Sequence, residues 1–214
     1  TYIMIIAIDG PAAAGKGTLA RRLAIHFDLA FLDTGRLYRA VAHEIIRLEV
    51  DPNDIKKVVL VARSLEPDKI EVIDLYTEKI AEIASIIAAV PAVRKELLVY
   101  QRNFAYSPPN DKTGAVLDGR DIASVVCPDA SYKFFVTADL DVRSRRRYKE
   151  LQENGRKSTY AAVLADIQQR DERDRTRKAS PLKTVDAIVI DTSGKSPDAV
   201  FLRALEYIEG DQLN

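Results

Sequence analysis

The stretch Met4-Ile-Ile-Ala-Ile-Asp-Gly-Pro-Ala-Ala-Ala-Gly-Lys-Gly-Thr-Leu-Ala-Arg-Arg-Leu23 decides the fold. Its apolar run, Ile5 to Ile8, reads as a strand buried on both faces. The run stops at Asp9, and Gly10-Pro-Ala-Ala-Ala-Gly15-Lys16 fits the first seven positions of the phosphate-binding loop G-x-x-x-x-G-K-[ST]. Gly17 occupies the eighth position, and the expected hydroxyl follows one residue later at Thr18. Glycines let such a loop curl until several N–H groups face one anion. The N-terminus of the next helix adds partial positive charge, and the Lys16 ammonium extends toward the β- and γ-phosphates. The stretch therefore predicts a nucleoside-triphosphate site on a strand–loop–helix unit.

Outward from this unit, the helix after the loop carries Leu19, Leu23 and Phe27 inward at a spacing of four, with Arg21 and Arg22 outward. Ala30-Phe-Leu-Asp33 is a second short strand, and Thr34 is placed to cap a helix over about 36–50 that ends before Pro52. Residues 52–80 break the pattern and read as a small insertion. A helix-like stretch begins at Asp54-Ile55, and Lys69 to Asp74 alternates weakly like a strand. A long helix from about Thr77 to Ala105 is expected next, interrupted or kinked at Pro91. Three more buried strands are Ala115–Asp118, Lys133–Val136 and Ala187–Asp191. Strands alternating with helices predict an α/β fold, a five-stranded parallel sheet flanked by helices.

Composition narrows the function classes. The 214 residues suit one α/β domain, and a hydrophobic fraction of 47% suffices for a core. With 32 acidic and 32 basic residues the net charge is zero, so nothing in bulk favours a nucleic-acid partner. One cysteine, Cys127, allows no internal disulfide, and the scattered His26 and His43 cannot build a zinc site with it. No apolar run approaches the ~18 residues of a membrane span. A cytoplasmic, membrane-free chain is expected, acting as a monomer on small molecules.

In parallel sheets ligands gather at the carboxyl ends of the strands. There the chain places Asp9-Gly10, Asp33-Thr34-Gly35 and Asp118-Gly119-Arg120-Asp121. Three polar clusters in register with a phosphate loop predict a two-substrate site, with Arg39 about one helical turn beyond Thr34. Arg170, Asp174 and Arg177 fall at i, i+4 and i+7 on one helix face. Taken alone that face is a salt-bridged, solvated helix. Phosphoryl transfer, however, needs cations over the transferring group, and five basic residues from Arg170 to Lys178 look like a lid over about 154–182. Arg143-Ser-Arg-Arg-Arg147 suits either a donor contact or a solvated face.

Together these residues resemble the bacterial cytidylate kinases, a branch of the nucleoside monophosphate kinases. The resemblance runs from about Ile6 to Ile208. Its motifs are Gly10 to Thr18, Asp33-Thr-Gly-Arg-Leu-Tyr38-Arg39, Ser85 followed by Pro91-Ala-Val-Arg94, Asp118-Gly-Arg-Asp121, and Arg170-Asp-Glu-Arg-Asp174-Arg-Thr-Arg177. The resemblance implies a core (1–51, 107–153, 183–214), an acceptor-binding insertion (about 52–106) and the lid. It also implies that Gly10, Pro11, Ala12, Ala13, Ala14, Gly15, Lys16, Gly17 and Thr18 hold the phosphates of ATP, with Thr18 near Mg2+. Arg39, Arg120 and Arg177 would grip the acceptor phosphate, and Ser85, Arg94 and Asp121 would read cytosine. Asp174 and Arg170 would meet the ribose, with Thr34 nearby. Lys16, Arg120 and Arg177 are then the catalytic set, and the reaction is transfer of the γ-phosphoryl of Mg-ATP to CMP or dCMP.

A P-loop kinase for another nucleoside monophosphate, or for a small non-nucleotide metabolite, is the alternative. A switch GTPase fits worse. Asp191-Thr-Ser-Gly194 imitates its D-x-x-G motif, but no N-K-x-D guanine reader follows.

Overall fold

The computed structural model describes residues 3–66 and 75–211. Five parallel strands form one sheet in the order β2-β3-β1-β4-β5. They are β1 (Met4–Asp9), β2 (Ala30–Asp33), β3 (Gly114–Gly119), β4 (Tyr132–Thr137) and β5 (Ile188–Asp191). The central pair, β1 and β3, runs Met4 to Asp9 against Gly114 to Gly119 and is almost wholly buried. That burial is why its sequence is continuously apolar rather than alternating.

The period-two geometry of a strand sends alternate residues to opposite faces. Ile6 and Ile8 pack with Leu19 and Leu23 of α1 (Lys16–His26), and with Val200, Ala204 and Ile208 of the last helix, Pro197–Asp211. Ile5 and Ala7 face the other way, toward Ala105, Ile122, Val126 and Cys127.

Helix α2 (Thr34–Arg47) is capped by Asp33, whose Oδ1 accepts from the Arg36 amide at 3.2 Å. Thr34 is therefore not the cap expected from sequence. It is the first helical residue, and its hydroxyl donates instead to the Asp118 carbonyl at 2.7 Å, tying α2 to β3. Helix α3 (Ile55–Arg63) begins where expected, with the Asp54 carboxylate accepting from the Lys57 amide. The long helix expected to Ala105 is two helices, α4 (Glu78–Ile87) and α5 (Pro91–Tyr106). Proline lacks the N–H that would continue α4, so Pro91 starts a new helix where that donor is not needed. The strand-like stretch Lys69–Asp74 lies outside the described residues.

Helices α2 to α5 share an apolar cluster of their own, including Leu37, Val41, Ile45, Val58, Ile80, Ile87, Val93 and Leu97. Two further helices, α6 (Leu140–Glu153) and α7 (Tyr160–Thr176), are joined through Leu151, Val163 and Ile167. The sheet thus carries two helical appendages beside its carboxyl edge. The last helix, α8 (Pro197–Asp211), packs on the sheet face beside α1.

Between β3 and β4 the chain makes a short π-helical turn, Ile122–Val126, in which the Val126 amide donates to the Asp121 carbonyl and that of Cys127 to Ile122. The side chain of Asp9, the last residue of β1, brackets this turn. Its two oxygens accept from the amides of Ile122 and Ala123, each at 2.8 Å. Burial nonetheless raises the Asp9 carboxyl to about 6 against the pull of those two amides.

After Asp9, Gly10 has φ 152°, and a Cβ built there would lie 1.9 Å from the Val136 carbonyl oxygen. No side chain fits between loop and β4. Gly10→Ala is expected to cost about 1–3 kcal/mol through strain and displacement of the loop. Urea denaturation measures it, with stability equal to the parent's as the contrary result.

Candidate active site

The carboxyl ends of the strands meet as the sequence predicts. Asp9 lies opposite Gly119 in the sheet register, and Asp33 opposite Asp118. Chain order reverses here, since β1 leads outward to β2 while β3 crosses back over β1 to β4. Such a switch point leaves a crevice for ligands.

The phosphate loop lies over this edge. Gly15 caps α1 in a left-handed conformation, with φ 96°, and Ala13 also has positive φ, 58°. Carbonyl oxygens hold the curl in place: Pro11 accepts from Lys16 Nζ at 2.9 Å, Ala12 from Arg143 at 3.3 Å, and Ala14 from the Thr192 hydroxyl at 2.9 Å. Arg143 also pairs with Asp171 at 2.6 Å and so joins the loop to α7. Of the basic run Arg143–Arg147, this first residue is buried against the loop, and Arg147 lines the cavity beside it.

A cavity of about 390 Å³ opens beside the loop. Its cations are Lys16, Arg21, Arg39, Arg94, Arg120, Arg147, Arg170 and Arg177, against the carboxylates of Asp33, Asp118, Asp121, Asp174 and Glu150. Eight positive groups less five negative ones leave a cavity short of anions. Thr34 and Ser85 also line it, so every residue expected at the acceptor site lines this one cavity. Ala12, Ala13, Lys16 and Gly17 represent the loop there. Gly10, Pro11, Ala14, Gly15 and Thr18 do not line it, and Thr18 is exposed at the first turn of α1.

Two ion pairs organise the walls. Arg94 of α5 pairs with Asp121 at the π-turn, both deeply buried, and donates its other terminal nitrogen to the Ala88 carbonyl at 2.9 Å. Arg120 Nε bonds Asp174 of α7 at 2.8 Å, and Arg177 lies 3.7 Å from the other oxygen of Asp174. Asp121 therefore orients Arg94, not the adjacent Arg120. Arg177 sits just past the end of α7 with ψ 140°, so it does not continue the helical face of Arg170 and Asp174. Its Nε donates to the Ser180 carbonyl at 2.7 Å, which turns it back into the cavity.

Several donors remain open. Ser85 Oγ, Arg94 Nε, Arg170 Nε and Arg177 Nη2 are buried with no hydrogen-bond partner among the described residues. Buried polar groups are nearly always satisfied, so a cluster of unsatisfied ones lining a cavity has the form of a ligand site.

Electrostatics point the same way. Burial, then the nearby Arg120, lowers the Lys16 ammonium to about 7 despite Asp118, Asp33 and Asp174. Burial and the Arg120 and Arg39 charges pull the Arg170 guanidinium down to about 10. Burial also opposes ionisation of Asp174, yet Arg120, Arg177 and Arg170 outweigh it and hold that carboxyl below its ordinary value. Asp118 is raised to about 7 by burial and by Asp33 across the register, against Lys16 and Arg120.

Three participants had no role assigned from sequence. Tyr38 and Tyr76 both line the cavity, and Asp9 anchors the turn that carries Asp121. Tyr38 stands inside a quoted motif, but Tyr76 has no signal beyond preceding Thr77, the cap of α4.

A family model described as cytidylate kinase matches residues 6–210. The chain belongs to the cytidylate kinase family. It is 52% identical to the cytidylate kinase of Paramagnetospirillum magneticum, over 95% of this chain and 97% of that one. It is 50% identical to the cytidylate kinase of Afipia carboxidovorans, over 96% and 97%. Among solved structures, a protein of Eubacterium ventriosum superposes with TM-score 0.55 at 13% identity, covering 96% of this chain and 98% of that one. TT1252 of Thermus thermophilus gives TM-score 0.50 at 18% identity, covering 99% and 98%. These likenesses show a shared fold. As a cytidylate kinase the chain is a transferase, a nucleoside monophosphate kinase, as its motifs implied. Among the described residues no helix is long and apolar enough to cross a membrane, and no group of three or more His, Cys, Asp or Glu is arranged to hold a metal.

The raised Asp118 gives a signed pH dependence. Between its ordinary value of 3.8 and about 7 the folded chain holds a proton that the unfolded chain has released. Stability of the unliganded protein therefore falls as pH rises across that window, by up to about 1.4 kcal/mol per pH unit. Asp118→Asn removes the effect, so urea melts from pH 5 to 7 should find the variant gaining on the parent as pH rises. A pH-independent difference would place Asp118 at its ordinary value.

Proposed function

We propose that this cavity and the adjoining loop hold the two substrates of cytidylate kinase chemistry: ATP along Gly10 to Thr18, and CMP or dCMP against Ser85, Arg94 and Asp121. One observation carries the reading. The loop lysine, the Ser85–Arg94–Asp121 trio and the guanidinium groups of Arg39, Arg120, Arg170 and Arg177 line one cavity with an excess of positive charge. A nucleoside monophosphate supplies the anion that these cations lack and the polar edge that the open donors need.

The reaction is transfer of the γ-phosphoryl of ATP to CMP, and the proposed mechanism is direct and in-line. The acceptor phosphate is already anionic, so no general base is required, and positioning with charge neutralisation carries the step. Lys16, Arg120 and Arg177 are the proposed catalytic cations, since charge spreads over several oxygens in the transition state. Bound polyphosphate restores the Lys16 ammonium that burial disfavours. Arg39, Arg120 and Arg177 offer forked donors suited to phosphate oxygens. Asp174 and Arg170, with Thr34 nearby, are assigned to the ribose.

Magnesium takes hard oxygen ligands, commonly one or two carboxylates together with substrate phosphates. Asp118 fits that chemistry, because a cation beside it relieves the repulsion from Asp33 that helps raise its carboxyl. Asp33 and Asp118, which line the cavity, are the proposed donors, and the Thr18 hydroxyl that the loop motif implies for the ion lies outside it. When bound, the ion neutralises phosphate charge.

In the same reading residues about 52–106 form the acceptor-binding insertion and about 154–182 the lid, on a core of 1–51, 107–153 and 183–214. In this reading the chain works as a cytoplasmic monomer. A coupled ADP-release assay over nucleoside monophosphates and small hydroxylated metabolites tests the substrate, and turnover of a metabolite in preference to CMP would overturn it.

Lys16→Ala is expected to lower kcat at least about 100-fold while the fold persists. Wild-type turnover in the folded variant would remove Lys16 from the mechanism. Base choice follows from hydrogen-bond polarity. Cytosine offers a donor at N4 and acceptors at N3 and O2, whereas uracil reverses the first two. An Asp121 carboxylate only accepts and Arg94 only donates, so CMP is favoured over UMP by roughly 3–5 kcal/mol in kcat/KM. Asp121→Asn should narrow that gap while lowering CMP turnover. Equal proportional losses for both substrates would make Asp121 a support for Arg94 alone.

A further inference from the structure

Of the cavity's seven guanidinium groups, those of Arg94, Arg120, Arg147 and Arg177 are held by carboxylates. Arg94 has Asp121, Arg120 and Arg177 share Asp174, and Arg177 also has the Ser180 carbonyl. Arg39 differs. It makes no hydrogen bond or ion pair among the described residues, and its guanidinium carbon lies 4.8 Å from the centroid of the Tyr76 ring. Both side chains line the cavity, and both are partly buried. A cation over an aromatic face is attracted by the ring quadrupole, more strongly once water is removed. Unlike a carboxylate, the ring leaves every N–H of the fork free for another acceptor.

Tyr76 is itself fixed from two sides. The next residue, Thr77, caps α4 by accepting from the Ile80 amide at 3.2 Å. The Tyr76 carbonyl accepts from Arg156, which lies in the turn between α6 and α7. One residue therefore touches three parts of the molecule: α2 through the Arg39 guanidinium, α4 through its cap, and the α6–α7 turn through Arg156.

We infer that Tyr76 is a positioning residue for phosphoryl transfer, its ring face aiming the Arg39 guanidinium at the acceptor phosphate without neutralising it. The inference rests on the reading of Arg39 as an acceptor-phosphate ligand. A ring serves here where an acid would not. A carboxylate beside Arg39 would compete with the phosphate for the same donors, whereas the aromatic face restricts the fork and leaves it unpaired. If the ring face alone does the aiming, phenylalanine should replace tyrosine and an aliphatic side chain should not.

The test uses the full chain and four variants: Tyr76→Phe, Tyr76→Leu, Arg39→Ala and the double variant Tyr76→Leu/Arg39→Ala. KM for CMP, KM for ATP, kcat and the melting temperature are measured for each. Tyr76→Phe should stay within about twofold of the parent in every constant. Tyr76→Leu should raise KM for CMP about 5- to 30-fold, the range of a partly desolvated cation–π contact, while KM for ATP stays within about twofold. The double variant should be no worse than Arg39→Ala, because the ring has nothing to aim once the guanidinium is gone.

If Arg39→Ala raises KM for CMP and Tyr76→Leu does not, the positioning role is overturned and the reading of Arg39 stands. Equal rises for CMP and ATP, or multiplying effects in the double variant, would make Tyr76 a general support and also overturn the proposal. If Arg39→Ala leaves KM for CMP unchanged, the phosphate reading of Arg39 falls first and the role of Tyr76 with it. Should Tyr76→Leu melt far below the parent, Tyr76→Met, which keeps bulk without a ring face, takes its place under the same expectations.

Discussion

The structure depends on holding guanidinium groups close together, out of water, without cancelling their charge. Each buried cation loses hydration, and like charges a few ångströms apart repel. The fold meets both costs by giving carboxylates to some cations and not to others. Asp174 serves Arg120 and Arg177 together, and Asp121 serves Arg94. Fully paired arginines would have no reason to bind an anion, and wholly unpaired ones would splay apart or draw in water. The intermediate state leaves Arg170 lowered to about 10 and Lys16 to about 7. Part of the free energy of folding is thus held as electrostatic imbalance that an anionic ligand relieves.

The helical appendages follow from the same constraint. Arg94 and Ser85 come from α5 and α4, whose apolar cluster is separate from the sheet core. Arg170 and Asp174 come from α7, which packs on α6 through only a small cluster. Cations supplied from three bodies, with the sheet edge providing Arg120, meet at one cavity without being crowded along one rigid element. Elements with small independent cores are also those that open locally at least cost.

Much of this was legible in the sequence because it depends on local rules. The β1–loop–α1 unit carries its own signal in apolar run, glycine spacing and lysine. The other strands are short apolar runs, and β2, β3 and β5 end in Asp33, Gly119 and Asp191. Only β3 of these is buried throughout, whereas β2, β4 and β5, expected as buried, lie toward the flanks of the sheet and stay partly open. Pro91 marked a break because the chemistry of a missing N–H is local, although whether it kinks one helix or separates two depends on packing. The errors were also physical. Asp33 and Thr34 are both competent caps, and only the position of the Asp118 carbonyl, 84 residues away, decides that Thr34 turns elsewhere. Arg177 fitted a helical face by arithmetic, but α7 ends one residue earlier and the arginine reaches the site through its bond to Ser180. Tyr76 and Asp9 act across the fold, on Arg39 and on the π-turn, and no spacing along the chain encodes such contacts.

Asp9 sets the scale of the site. Its peptide bond leads directly into the phosphate loop at Gly10, and its carboxylate holds the amides of Ile122 and Ala123, immediately after Asp121. The loop and the residue opposite Arg94 are thus gauged from one side chain at the end of the central strand. Like the jaws of a caliper on a common bar, they keep their separation when helices farther out shift. Whatever α6 and α7 do on ligand binding, the span from phosphate loop to Asp121 is set before either ligand arrives.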